Sequence, residues 1–174
     1  DYMKTAEMLS TMIKQTSKAT GYKYFSVLTE LLCKSFGVGM AMIARIDKDN
    51  NKAVSVNCWH KGENIENLSF DLEVSPSLNV MRGYTTFYPS NLAEMFPDDK
   101  LIRKFNLAGY LGTPIYCAAG EVCGLLILMD DKQMEEIPNS RYVLSIFASR
   151  AGAEFERIQV EESYQRKIRE LEGR

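Results

Sequence analysis

The sequence predicts an α+β domain: an antiparallel sheet packed against helices that come from the two ends of the chain. Three observations carry that prediction. Apolar residues recur at helical spacing in both terminal segments. Strand-like runs face each other across a polar turn at residues 47–51 and a small-residue turn at Gly120. Only short helical stretches lie between them.

Residues 1–19 place Tyr2, Ala6, Leu9, Ile13 and Thr16 at 4-3-4-3 spacing, the a/d seam of a short coiled coil, with Met12 flanking it. Gly21 interrupts the pattern. A second helix is predicted over 22–36, with Phe25, Leu28, Leu31, Leu32 and Phe36 on one face and Gly37 as its C-terminal cap. Residues 38–46 and 53–59 read as a hairpin at the head of the sheet. Residues 62–67 are polar loop, and 68–74 alternate with period two as a half-exposed strand ending at Pro76.

A short helix over 78–82, closed by Gly83, and a brief strand over 85–88 follow. Asn91 is the expected N-cap of a helix over 92–96, and Pro97 opens a second piece through Phe105. Strands over 108–116 and 122–130 form a second hairpin. Asn139 or Ser140 is the expected cap of a long final helix. There Leu144, Ala148, Ala151, Phe155 and Ile158 follow heptad spacing, and Tyr164, Ile168 and Leu171 resume it one residue out of phase. Beyond Ile158 that helix is expected to outrun the domain surface and to seek a partner helix.

The chain has 174 residues, which suits one domain with helical extensions. Hydrophobic residues make up 45% and charged residues 25%, with net charge −2, so no positive field draws nucleic acid or an anionic membrane. The longest apolar run, 122–129, has a buried strand's length, far short of the ~20 residues of a membrane span. No charged-then-apolar signal segment opens the chain. The start at Asp1 and the end at Gly173-Arg174 read as an excised piece of a longer protein. Cys33, Cys58, Cys117 and Cys123 form no C-x-x-C pair and no zinc spacing, and are expected to be reduced buried thiols of a cytoplasmic domain.

Catalytic candidates are few. His60 is the only histidine, and Cys58, two residues before it, shares its strand face, so a thiolate–imidazole pair is sterically conceivable. The plainer alternative is a core cysteine beside a strand-end histidine. There is no G-x-G-x-x-G and no Walker A pattern. Asp98-Asp99 and Glu135-Glu136 read as solvated charge, and no metal site is expected. Aromatic residues instead gather in the middle segment: Phe70, Tyr84, Phe87, Tyr88, Phe96, Phe105, Tyr110 and Tyr116. Such residues suit a mostly apolar pocket with a few placed hydroxyls, or equally a packed core. Arg45 and Arg103 are candidates to pair an anionic ligand, or else Arg45 snorkels at the sheet edge and Arg103 is solvated.

Three stretches carry a family resemblance: Tyr88-Pro89 to Phe96-Pro97-Asp98, Tyr110-Leu111-Gly112-Thr113-Pro114, and Gly120-Glu121-Val122-Cys123-Gly124-Leu125. Together they resemble the C-terminal half of a GAF domain, as found in bacterial sensor kinases and diguanylate cyclases. The resemblance fades between residues 57 and 82. It implies a GAF-like (PAS-like) sheet with the terminal helices on one face and short helices roofing a cavity on the other. It also implies a non-catalytic sensory domain, cytoplasmic and homodimeric through its terminal helices. The implied layout is a signalling helix over 1–20, the domain over 21–158, and a linker helix over 159–174 toward an output domain such as a two-component kinase or a cyclase.

The site residues expected on this basis are Arg45, Cys58, His60, Phe70, Tyr84, Tyr88, Phe96, Tyr110 and Thr113. The ligand is left unnamed. The roofing segment 75–105 has neither Cys nor His, which argues against covalent bilin, and haem would depend on His60 or a weaker ligand. The alternatives are a redox enzyme of the free methionine sulfoxide reductase type, using Cys58 and His60, and a dimerisation module that binds nothing.

Overall fold

The computed structural model describes residues 2–174, without the side chain of Tyr2, whose place in the first helical seam therefore lies outside the described residues. The elements run α1 (Tyr2–Thr16), α2 (Tyr22–Phe36), β1 (Met40–Asp47), β2 (Lys52–His60), β3 (Glu63–Asn64), β4 (Ser69–Asp71), α3 (Ser77–Met81), β5 (Thr86–Tyr88), α4 (Leu92–Met95), α5 (Lys100–Phe105), β6 (Gly109–Tyr116), β7 (Val122–Asp130) and α6 (Ser140–Glu172). The strands form one sheet in the order β3-β2-β1-β7-β6-β5, with β4 beside β2. Every pairing is antiparallel.

Strand alternation divides the core in two. On one face Ala41 and Ile43 of β1, Leu126 and Leu128 of β7, and Leu111 and Ile115 of β6 pack against Phe25, Leu28 and Leu32 of α2 and Leu144, Phe147 and Ala151 of α6. On the other face Met40, Met42, Leu125, Ile127 and Tyr110 pack beneath the segment 68–107, from which Leu72, Val80, Leu92 and Ile102 reach down. Strands β1 and β7 are thus buried on both sides, which is why they read as continuous apolar runs rather than alternating ones. The α+β sheet with terminal helices on one face and short helices over the other is the architecture of the chain.

Local signals account for most element ends. Gly37 stops α2 in the left-handed conformation at φ 66°, and its N–H bonds the Cys33 carbonyl. Two expected caps are corrected. Asn91 and Asn139 precede α4 and α6, but both take left-handed backbone (φ 66° and 62°) and neither side chain caps its helix. Asparagine is used there for its tolerance of positive φ. The cap that does form is Asp99, whose carboxylate accepts the Leu101 and Ile102 N–H groups at 2.9 and 3.2 Å. Asp99 is buried, not solvated as its sequence setting suggested.

The seam of α1 is also turned. Met12 is 1% exposed and Thr16 is buried, with Met8 and Leu9 packed beside them, whereas Ala6 and Ile13 face outward. In α6 the expected inward stripe of Leu144, Ala148 and Ala151 is buried, with Phe155 and Ile158 packed against the same core. From residue 159 onward every side chain of α6 is exposed. Among the described residues, no helix is long and apolar enough to cross a membrane.

Candidate functional site

The segment between β4 and β6 covers the roof face and brings six of the expected site residues to that side of the sheet. Cys58 and Phe70 belong to its buried cluster, and Tyr88 and Phe96 pack against it, their rings edge-to-face with each other at 5.4 Å. Tyr110 stands at the centre. Its ring lies 6.4 Å from that of Tyr88, and its hydroxyl shares a 2.6 Å hydrogen bond with Ser77 of α3. Burial drives the Tyr110 pKa well above the ordinary phenol value, so it stays a neutral donor and acceptor. Ser75 Oγ accepts the Ser77 N–H at 3.0 Å, fixing the start of α3 beside the Ser77–Tyr110 bond.

The space under the roof is filled by side chains. Met42, Cys58, Leu72, Val80, Ile102, Tyr110 and Ile127 are each 2% exposed or less. A ligand there requires the roof to lift, and the Ser77–Tyr110 bond is the polar tie that lifting would break.

His60 lies on the same face at the C-terminal end of β2, its ring edge-to-face with Phe105 at 4.9 Å. Partial burial, then the charge of Lys61, hold its pKa below the ordinary histidine value. The Cys58 thiol is pushed up to about 12 by desolvation alone. Burial therefore disfavours the Cys58 thiolate that a nucleophile pair with His60 would need at neutral pH. Among the described residues, no three His, Cys, Asp or Glu side chains group so as to hold a metal ion.

Three expected site residues lie elsewhere. Arg45 continues the Ala41–Ile43 side of β1 and so faces the helices, where it lines a cavity of about 300 Å³ with Tyr22, Val56, Phe155, Ile158 and Glu162. Thr113 follows the alternation of Leu111 and Ile115 on that same side, and its hydroxyl pairs with Thr85 at 3.0 Å. Tyr84 is 67% exposed in the turn after α3. A second cavity of about 300 Å³ opens on the helix face between Phe36, Phe87, Leu128, Asp130, Met134 and Arg141.

Two features of the helix face escaped the sequence reading. Cys117 and Cys123 are joined in a disulfide, with Cα atoms 5.8 Å apart, which corrects the expectation of four reduced thiols. The two cysteines flank the Gly120 turn of the second hairpin, and that placement was the signal available. Cys33 and Cys58 are free and buried, as expected. The other feature is Glu154, a carboxylate 1% exposed on α6. It accepts the Gly21 N–H at 2.8 Å and pairs with Arg150 and Arg157 at 3.2 and 3.6 Å. Arg150 in turn donates to the Ala19 carbonyl at 2.6 Å and stacks over Tyr24. The joint between α1 and α2 is thereby clamped to α6.

This architecture is that of a GAF domain. The GAF domain of a phosphoenolpyruvate-protein phosphotransferase from Acinetobacter superposes with a TM-score of 0.72 at 12% identity, covering 91% of this chain and 96% of its own. That of the Coxiella burnetii phosphoenolpyruvate-protein phosphotransferase gives 0.69 at 14% identity, covering 92% and 98%. The A. aeolicus nlh2 GAF domain in an inactive state gives 0.66 at 17%, covering 89% and 97%. These likenesses establish the fold. In sequence, the chain is 27% identical over 137 residues to hybrid signal transduction histidine kinase F of Dictyostelium discoideum. That match takes in 79% of this chain but only 12% of the kinase's length. No protein-family model matches the chain.

Proposed function

We propose that the chain is a sensory or regulatory small-molecule-binding domain of a signal-transduction protein, one that passes ligand state through its terminal helices in a dimer. The observation that carries this reading is α6. Its first part seals the sheet, while its residues from 159 to 172 are all exposed, Val160, Tyr164, Ile168 and Leu171 among them, with a Tyr22–Glu162 hydrogen bond reaching back to the domain. A helix rooted in a ligand-binding core and free at its end can convert a change in packing into a change in exit angle. Exposed apolar stripes of this kind invite a partner helix, and a second copy supplies the same stripe by two-fold symmetry. The outward face of α1, with Ile13 45% exposed, offers a second strip for the same bundle.

In this reading 21–158 is the sensing domain, 1–20 and 159–174 are its signalling helices, and the domain itself catalyses nothing. The ligand enters beneath the roof, against Tyr88, Phe96 and Tyr110, and a kinase of the kind named in the Dictyostelium relative is the proposed output. Cytoplasmic placement suits the free thiols Cys33 and Cys58, and there the Cys117–Cys123 bond would be exposed to a reducing thiol pool.

The test is native mass spectrometry of the purified chain for a retained small molecule, followed by thermal shifts with amino acids, 2-oxo acids and nucleotides. A ligand at a hundredfold its Kd stabilises by about 2.7 kcal/mol. Failure of every compound to shift the transition, with no retained molecule, would leave a dimerisation module without a ligand. Sedimentation at tens of micromolar reads the dimer separately. A species that is monomeric at that concentration, and unchanged by Ile168→Glu or Ile13→Glu, removes the helical interface.

A further inference from the structure

The β6–β7 hairpin is closed by its own backbone before any cross-link is added. Cys117 N–H donates to the Glu121 carbonyl at 3.1 Å, and Gly120 N–H to the Cys117 carbonyl at 2.8 Å. A disulfide spanning a sequence separation of 6 in such a turn removes little chain entropy, because that gain grows with loop length. Its contribution to holding the fold is therefore small, and its surroundings are more informative than its stabilising effect.

Those surroundings are built. The pairing register slips between Ile115 and Tyr116, and such bulges re-aim the side chains beside them. Here Cys123 packs on the helix-face core, as does the position of Gly124, where an added Cβ would lie 2.8 Å from the Phe155 ring of α6. Both cysteines are half-buried and line the cavity that holds Arg45 and Glu162. Arg45 is registered opposite Gly124 across β1 and β7, one residue from Cys123, and among the described residues it makes no ion pair. Glu162 accepts a hydrogen bond from Tyr22 at 3.0 Å and keeps further lone pairs.

We propose that the Cys117–Cys123 bond is a thiol–disulfide exchange site for small amino-acid or peptide thiols, whose carboxylate pairs with Arg45 and whose ammonium pairs with Glu162. The incoming thiolate attacks the Cys117 sulfur. The protein S–S bond breaks, and its electron pair leaves on Cys123, where the Arg45 cation favours the departing thiolate. Cys123 then takes a proton from solvent, and its thiol has the Ile115 carbonyl oxygen 3.6 Å away as acceptor. A second thiolate attacks the small-molecule sulfur of the mixed disulfide and releases Cys117, which is protonated in turn. Two small thiols are oxidised to one disulfide as the protein bond is reduced, and the same small disulfide is the oxidant for the reverse.

The turn that carries the bond is tied to the output helix. Glu156 of α6 accepts the Ala118 N–H, and Gly152 sits so close to β6 that a Cβ there would lie 2.3 Å from the Tyr116 carbonyl oxygen. Reduction leaves the backbone-bonded hairpin closed but removes the covalent tie beside these two contacts, relaxing the turn locally at the root of α6. Its consequence for signalling rests on the reading of α6 given above, whereas the chemistry does not.

The experiment compares reduced glutathione with 2-mercaptoethanol on the 174-residue chain, following reduction by alkylation and mass spectrometry in the unmodified protein and in Arg45→Gln. Glutathione should react roughly fivefold faster per thiolate, and Arg45→Gln should abolish the advantage. Equal rates for the two thiols, or an advantage that survives Arg45→Gln, overturns the site. Arg45 is exposed, so the variant folds, and Cys123→Ser gives a second reading: oxidised glutathione should leave a mixed disulfide on Cys117. Absence of that adduct overturns the assignment of the attacked sulfur. Backbone hydrogen exchange over 152–158 should rise on reduction, and unchanged exchange overturns the link to α6. Ligand binding beneath the roof is read by the thermal shifts and is independent of these outcomes.

Discussion

The two faces of the sheet bury apolar residues equally well, yet the polar ties to their covering layers are of opposite kinds. Beneath the roof, the Ser77–Tyr110 tie to the sheet is neutral and fully enclosed, Cys58 is held as a thiol, and the buried Asp99 carboxylate bonds N–H groups of the roof's own helix α5 rather than the sheet. Across the sheet, against the helices, lie a buried carboxylate with two arginines, a disulfide and two cavities of about 300 Å³. A neutral tie can be broken and remade at modest cost, whereas a buried charge cannot lose its partner cheaply. The contrast assigns movement to the roof and rigidity to the helix face. A sensor that admits its ligand on one side and drives a helix on the other needs that division.

Leu125 and Leu126 test this most strongly. They are neighbours on β7, both fully buried, and they point into the roof cluster and the helix cluster respectively. Leu→Ala at either site is expected to cost about 3 kcal/mol in urea unfolding, since the residue type and burial are the same. The cost falls where surroundings can collapse into the space. A loss at Leu125 smaller than that at Leu126 by about 1 kcal/mol would mark the roof as the yielding layer. Equal losses would mean that both faces are set with the same rigidity, and the division above would lose its mechanical basis.

Glu154→Ala comes next, at about 2 kcal/mol, because it leaves the Gly21 N–H without its acceptor and Arg150 without its carboxylate. Arg150 and Arg157 are partly exposed, which holds the figure below that of a fully buried pair. Glu154→Gln keeps an acceptor for Gly21 and should recover about half of the loss. If both variants unfold like the parent protein, the clamp between the α1–α2 joint and α6 contributes nothing measurable. On the roof, Tyr110→Phe strands the Ser77 hydroxyl and should cost about 1 kcal/mol. Faster amide exchange over 77–81 in that variant would locate the loss in α3.

Much of this was readable in advance, and the reasons are local. The bounds of α2 follow from its apolar spacing and Gly37, and the β6–β7 hairpin from its apolar runs around Gly120. The placement of Arg45 on the face opposite the roof aromatics follows from alternation along β1, once the partner of each face is known. Which face the helices take is a tertiary fact, so Arg45 and Thr113 could be grouped with Tyr110 from sequence although they point the other way. The turned seam of α1 has the same origin: Met12 and Ile13 are equally apolar, and only the position of α2 and the sheet decides that Met12 is buried. Glu154 gave no sequence signal, because its partner Gly21 is 133 residues away.

The smallest expected effect, and the one most specific to protonation, is at Asp99. Desolvation first, opposed by the two N–H bonds it accepts, raises its carboxyl pKa above the ordinary aspartate value. A raised folded-state pKa means that the native protein binds this proton more tightly than the unfolded chain does. Its contribution to stability is therefore full below the unfolded pKa and is lost as pH rises through the folded one. Asp99→Asn keeps a capping oxygen for Leu101 and Ile102 without the buried charge, so at neutral pH it should stabilise or leave stability unchanged within a few tenths of a kcal/mol. Asp99→Ala removes the cap and should cost about 1 kcal/mol. Urea unfolding of the three proteins from the acid range to neutrality gives the check. Relative to the parent, Asp99→Asn should gain as pH rises, whereas a relative loss would mean that the charged cap is favoured and that the burial of Asp99 carries no electrostatic penalty.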